Sequence, residues 1–221
     1  MVFFAVMKVT RFPYRHVIWD WNGTLLDDKW LCIESINRLL ERRNLPPITM
    51  EIYDRIFGFP VRDYYQKAGF DFNREPFEVP ALEFIQLYDA KKSECRLQPG
   101  AREVIEEMHR SGCRQYLLSA SETLILNELV RLHGISEYFV KIKGLDNHYA
   151  QGKTDLGRDL LQEINPEPGF VVMIGDTCHD EEVALELGIP CILFDGGHFT
   201  RERLKACSSR IISSLEELIT G

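Results

Sequence analysis

Short apolar runs recur along this chain at intervals that leave room for a helix between them. His16–Asp20, Gln115–Ser119, Tyr138–Ile142, Phe170–Ile174, Pro190–Phe194 and Arg210–Ile212 have the length and apolar content of buried strands. Most of the stretches between them carry apolar residues at helical spacing. One predicted face is Val104, Ile105 and Met108, and a second is Leu124, Leu126, Leu129, Val130 and Leu132. A third is Leu156, Leu160, Leu161 and Ile164, and a fourth is Val183, Ala184 and Leu187. Strands that are apolar on both faces and alternate with helices predict an α/β fold. The expected core is a Rossmann-like, doubly wound parallel sheet covered on both sides.

The first strand does not lead promptly into the second. Residues 26–99 intervene, with a helical face at Ile33, Ile36, Leu39 and Leu40 and breaks at Gly58, Pro60, Gly69, Pro76 and Pro80. That is too much chain for a single crossover helix. The pattern predicts an α-helical subdomain inserted over residues 26–96, with the α/β core formed by 1–25 and 97–221. Gln98-Pro99-Gly100 marks the return. Phe57, Phe59, Tyr64, Tyr65, Phe70, Phe72 and Phe77 are expected to pack the insert.

Composition narrows the classes. Of 221 residues, 45% are hydrophobic and 27% charged, as in an ordinary globular protein and unlike a disordered or fibrous one. A net charge of −8 and a pI near 5.3 argue against a nucleic-acid binder. No apolar run reaches the roughly 18–20 residues that span a bilayer. The apolar stretch from Val2 to Met7 ends at Lys8 and Arg11 with no basic lead and no small-residue cleavage site. Met7 is an equally good start. A cytoplasmic protein, monomeric or homodimeric and without a membrane or nucleic-acid partner, is expected. The six cysteines (Cys32, Cys95, Cys113, Cys178, Cys191 and Cys207) are scattered and read as small buried apolar residues rather than a disulfide framework. No CxxC pair or His/Cys cluster points to structural zinc.

Candidate chemistry gathers at the predicted strand ends, where open parallel sheets bind ligands. The first strand closes on Asp20 and runs into Trp21-Asn22-Gly23-Thr24-Leu25-Leu26-Asp27. Leu117-Leu118-Ser119 ends the second on a hydroxyl followed by Ala120. Lys153 follows Gly152 at a helix start. Met173-Ile174-Gly175-Asp176-Thr177-Cys178-His179-Asp180 ends another strand on a carboxylate, with a second acid four residues on. Asp180 also suits a helix start, since Glu181 and Glu182 follow it. Cys178 and His179 lie between the two acids, and their plain reading is structural.

These four ordered motifs resemble the haloacid dehalogenase (HAD) superfamily, in particular its phosphoglycolate phosphatase-like branch with a helical cap. The resemblance runs from about Arg15 to Leu218. It implies a Mg²⁺-dependent phosphatase acting on a small phosphorylated metabolite. Asp20 would be the nucleophile that forms an aspartyl-phosphate. Asp20, Asp176 and Asp180 would hold the metal with the backbone carbonyl of Asn22, a hard-oxygen set that suits Mg²⁺. Ser119, Ala120 and Thr24 would face the phosphoryl group, and Lys153 would balance the clustered negative charge. Arg62, in the cap stretch Gly58-Phe59-Pro60-Val61-Arg62, would meet a polar substrate group or else be a surface helix residue.

Two departures stand out. Thr154 follows Lys153 where the family usually has proline. Asn22 occupies the position of the family's acid–base aspartate, and an amide cannot relay a proton. General acid–base assistance is worth about 10²–10⁴-fold, so slow turnover is expected. A phosphometabolite-binding or regulatory protein with weakened catalysis is the alternative reading. Trp21 resembles the phosphonatase branch, but the matching cap stretch has no lysine and Lys67 is displaced. The paired acids Asp176 and Asp180 count against a true dehalogenase.

Overall fold

A computed structural model describes residues 12–145 and 152–220. The Val2–Met7 stretch with Lys8 and Arg11, and the residues flanking Lys153 on its N-terminal side up to Gln151, lie outside them. The chain enters through β1 (His16–Trp19) and leaves the core along β2 (Leu26–Asp27). Four helices follow: α1 (Lys29–Arg42), α2 (Met50–Ile56), α3 (Val61–Ala68) and α4 (Glu78–Lys91). Return is through β3 (Arg96–Leu97), which pairs antiparallel with β2 to form a narrow two-stranded neck. Thereafter come α5 (Ala101–Arg110), β4 (Arg114–Glu122), α6 (Thr123–Leu132), β5 (Phe139–Leu145) and α7 (Lys153–Ile164). The chain ends with β6 (Val171–Gly175), α8 (Cys178–Glu186), β7 (Cys191–Phe194), α9 (Arg201–Leu204), β8 (Arg210–Ile212) and α10 (Glu217–Thr220).

The main sheet has six strands in the order β5-β4-β1-β6-β7-β8, and every pairing in it is parallel. This is the α/β architecture expected from the alternation of apolar runs and helices. Successive strand residues divide between its two faces. Val17 and Trp19 join one core cluster with Leu117, Val172 and Ile174, whereas Ile18 joins the other with Tyr116, Leu118 and Met173. The helices of 26–96 build a third cluster of their own around Ile36, Leu39, Leu40, Tyr53, Tyr64 and Tyr65. Among the described residues, no helix is long and apolar enough to cross a membrane.

Three expectations need correction. Leu124 and Leu132 are 76% and 58% exposed, because α6 buries only Leu126, Leu129 and Val130. Phe59 is half exposed, lying between the Phe57 ring of the insert and the His179 ring of the core rather than inside the insert's cluster. Cys178 and Cys207 form a disulfide, with Cα atoms 6.1 Å apart. The fold brings the start of α8 beside the segment after α9, a proximity that a separation of 29 residues conceals.

Candidate active site

The carboxyl ends of β1, β4 and β6 and the first turn of α7 converge on one buried point. Asp20 leaves β1 with its N–H bonded to the Ile174 carbonyl at 2.8 Å, and only 7% of it is exposed. Asp176 leaves β6, and Asp180 follows in the first turn of α8. Oxygens of all three carboxylates lie within 4.8 Å of one another. The first residue of α7, Lys153, reaches them across the sheet top and donates from Nζ to Asp20 Oδ1 at 2.5 Å and Asp180 Oδ1 at 2.6 Å. Thr24 Oγ1 sits 3.2 Å from Asp20 Oδ2 and 3.0 Å from Asp176 Oδ1. A hydroxyl has one proton, so it serves one of the two acids at a time.

Burial sets the charge state of this cluster. It pushes the Asp20 carboxyl up to about 6 against the pull of Lys153, with Asp180 adding to the rise. Burial likewise pushes Asp176 up to about 7, opposed by His198 and reinforced by Asp180 and Asp20. Asp180 is held below the usual carboxylate range. Burial opposes its ionisation, but Lys153 and the hydrogen bonds from Lys153 and Thr177 outweigh it. Lys153 stays charged above the ordinary lysine value for the reciprocal reason. Three acids and one ammonium leave excess negative charge in a dry site, and hard oxygen donors of this kind fit a divalent cation such as Mg²⁺.

Local chain geometry explains the positions. Gly23 has φ 78°, and a Cβ there would collide with the Asp176 carboxylate and the His198 ring. Thr177 takes the N-cap of α8 and Asp180 the third helical position, together closing a capping box. Asp180 Oδ2 accepts from the Thr177 N–H at 3.0 Å and its hydroxyl at 2.8 Å. Its other oxygen is free for Lys153. Ser119 is buried in β4, and its Oγ accepts from the Ser121 N–H at 3.0 Å. Ala120 is exposed beside it. Strand β4 runs on to Glu122, so Ser121 also enters the site.

Asn22 is fully engaged. Its Nδ2 donates to Asp28 Oδ2 and to the Tyr88 hydroxyl, both at 2.9 Å, and its Oδ1 accepts from Ser121 Oγ at 2.8 Å. Asp28 is the hub of a second buried network. Its carboxylate accepts from the Gly23 N–H at 2.9 Å and the Tyr88 hydroxyl at 2.7 Å, and it faces His198 Nε2 at 3.3 Å. The His198 N–H in turn donates to Asp176 Oδ2 at 2.6 Å. Asp28, Tyr88, Ser121 and His198 escaped the sequence reading. Asp28 follows directly on the first motif and β2, and His198 follows Gly196-Gly197 just past β7, so strand-end position was a usable signal for both.

Other predicted residues fall elsewhere. The structure does not bring Arg62 to the cluster; its guanidinium lies over the Phe72 and Phe77 rings, 4.9 and 5.9 Å from their centroids. His179 bonds Glu182 at 3.1 Å on the surface, and Cys178 is spent in the disulfide.

An α/β core with an aspartate at the end of its first strand, a serine buried in β4, a buried lysine and a closing acid pair defines a class of hydrolase. The chain belongs to the haloacid dehalogenase-like hydrolase family, whose sequence model matches residues 17–194. A phosphoglycolate phosphatase from Caulobacter vibrioides is 26% identical over 206 residues, covering 89% of this chain and 85% of that protein. The tyrosine-protein kinase PtkA of Mycobacterium tuberculosis is 23% identical over 199 residues, covering 89% of this chain and 67% of that one. A haloacid dehalogenase-like hydrolase from Streptococcus pneumoniae shares the fold with a TM-score of 0.82 at 20% identity, over 93% of this chain and 97% of its own.

Proposed function

We propose that the chain is a cytoplasmic, Mg²⁺-dependent phosphatase that hydrolyses a small phosphomonoester through an aspartyl-phosphate on Asp20. The observation that carries this reading is the Lys153 ammonium lodged between Asp20 and Asp180, with Asp176 and Thr24 closing the cluster. The relatives named phosphoglycolate phosphatase support the substrate class. Asp20 and Asp176, with the Asn22 carbonyl, would hold the metal, and Asp180 would anchor Lys153 and the turn that carries Asp176. When bound, the metal offsets charge on the phosphoryl group.

In-line attack by an Asp20 oxygen forms the acyl phosphate and breaks the bond to the leaving alkoxide. Ser119 and the Ala120 and Thr24 region steady the phosphoryl oxygens, and Lys153 neutralises charge as it develops. Water then cleaves the acyl phosphate, returning the carboxylate and releasing phosphate. The helices of 26–96 act as the cap that covers this step. The leaving group finds no titratable side chain at Asn22, so turnover is slow or favours leaving groups that need no proton.

The full engagement of the Asn22 amide favours one second reading, a phosphometabolite-binding protein with residual catalysis. Phosphate release from a panel of phosphomonoesters, including 2-phosphoglycolate and p-nitrophenyl phosphate, tests both. Metal-dependent release that disappears in Asp20→Ala supports the phosphatase. Release that persists in Asp20→Ala overturns the mechanism, and tight binding of a phosphate ester without release transfers the case to the binding protein.

A further inference from the structure

The spacing of cysteines and histidines along the chain contains no zinc signature, yet the fold assembles a donor set of that kind. We propose that Asp28, Cys32 and His198 form a site for zinc, separate from the three-aspartate cluster, that fastens the helical insert to the core.

Asp28 stands immediately before α1, Cys32 lies one turn into that helix, and His198 comes from the loop between β7 and α9. One oxygen, one sulfur and one nitrogen from these residues lie within 4.8 Å of one another. Asp28 and His198 are 1% and 5% exposed. A thiolate, an imidazole and a carboxylate make a borderline-soft set that selects zinc over Mg²⁺.

The contacts around these atoms divide into tight and loose. Asp28 is gripped by the Gly23 N–H at 2.9 Å, Asn22 Nδ2 at 2.9 Å and the Tyr88 hydroxyl at 2.7 Å. The contacts between the proposed ligands are longer: His198 Nε2 to Asp28 Oδ1 is 3.3 Å, and Cys32 Sγ to Asp28 Oδ2 is 3.8 Å. Tetrahedral zinc with bonds of about 2.0–2.1 Å to nitrogen and oxygen holds those atoms about 3.3 Å apart, and slightly farther from sulfur. The carboxylate already presents one oxygen to the imidazole and the other to the thiol. A metal would therefore replace the two loose contacts and leave the tight ones in place.

The outer shell is also present. The Tyr53 hydroxyl sits 2.9 Å from His198 Nδ1, fixing the ring so that Nε2 faces Asp28. Binding converts the Cys32 thiol to a thiolate and displaces the proton from His198 Nε2, both protons passing to solvent with no change of oxidation state. The product is a clamp across the neck, tying α1 to the loop whose backbone holds Asp176.

Cobalt(II) titration of the whole metal-free chain tests the proposal, because a cobalt–thiolate bond gives a charge-transfer absorption. The expected result is such a band at one cobalt per chain, displaced by zinc but not by excess Mg²⁺. It should vanish in Cys32→Ser and in His198→Gln, persist in Asp20→Asn, and need about 10–100-fold more cobalt in Tyr53→Phe. Absence of the band in the unmodified protein overturns the proposal, and that measurement does not depend on any variant folding. A band that survives in Cys32→Ser assigns the metal to another thiol and overturns it equally. The readout is absorption rather than turnover, so it is independent of the proposed phosphatase activity.

Discussion

On one side of the turn from Asp20 to Asp28, three carboxylates cluster and two of them share a single ammonium. On the other, one carboxylate faces a histidine, a tyrosine hydroxyl, an asparagine amide and a backbone N–H. Both clusters are buried, but they handle charge in opposite ways. In the first, burial pushes Asp20 and Asp176 up to about 6 and 7, so the site resists its own ionisation. In the second, burial alone would raise Asp28, but His198 and the surrounding donors hold it below the usual range. His198 is drawn up to about 9, since its buried cost is outweighed by Asp28, Asp176 and Asp20. The first cluster is short of positive charge and suits a metal and a phosphoryl group. The second is nearly balanced and fixes Asn22 in place.

Removing the ammonium should have the largest effect. Lys153→Met leaves Asp20 and Asp180 buried without their partner. Phosphate release should be lost, and the unfolding free energy should fall by about 3–5 kcal/mol in urea titrations. Unchanged stability would mean that the three acids do not coexist as charged groups.

Asn22→Asp joins the two clusters by placing a second carboxylate 2.9 Å from Asp28 Oδ2. Repulsion between like charges favours protonation of one of them, which supplies the missing acid. Turnover should rise by about 10²–10⁴-fold, with a new limb in the pH–rate profile where that proton is lost. No gain would show that the Asn22 position never faces the leaving group.

The pH dependence of stability separates the clusters in the metal-free protein. Asp20 and Asp176 bind protons more tightly when folded than at their ordinary 3.8, so their contribution is full below that value. It is lost as pH rises through about 6 to 7. His198 also holds its proton more tightly when folded, so its share is full below 6.5 and is lost as pH rises through about 9. Denaturation midpoints should therefore decline in two stages. Mg²⁺ should flatten the first, and His198→Gln should abolish the second.

The smallest effect is expected outside both clusters. Arg62→Ala removes a cation stacked on two cap rings and should cost about 0.5–1 kcal/mol. KM for any ester hydrolysed should stay unchanged, and a marked rise would place Arg62 at the substrate.

The alternation of apolar runs with helical faces was enough to set the parallel sheet, because a strand apolar on both sides can be buried only between layers. The long interval after β1 likewise pointed to helices, and α1 to α4 fill it. Asp20, Lys153, Asp176 and Asp180 were legible because each stands at a strand end or helix start, where backbone geometry aims a side chain at one place, whereas Ser119 lies within β4, which runs three residues past it. Tyr88 was not: α4 has no clear apolar face, and its partner Asp28 lies 60 residues away. The exposed Leu124 and Leu132 show a similar limit, since helical spacing marks a stripe but not how much of it a neighbour covers.

By itself, then, the sequence determined the layers, the order of the motifs and the absence of a titratable group at Asn22, all of which depend on local spacing and residue chemistry. Only the tertiary structure decided which buried groups meet: Lys153 between two acids, Asn22 held by Asp28 and Tyr88, Cys178 joined to Cys207, and His198 brought against Asp28 and Cys32. Those meetings depend on how distant elements pack, and the cost of burying unpaired polar groups selects the partners that satisfy one another.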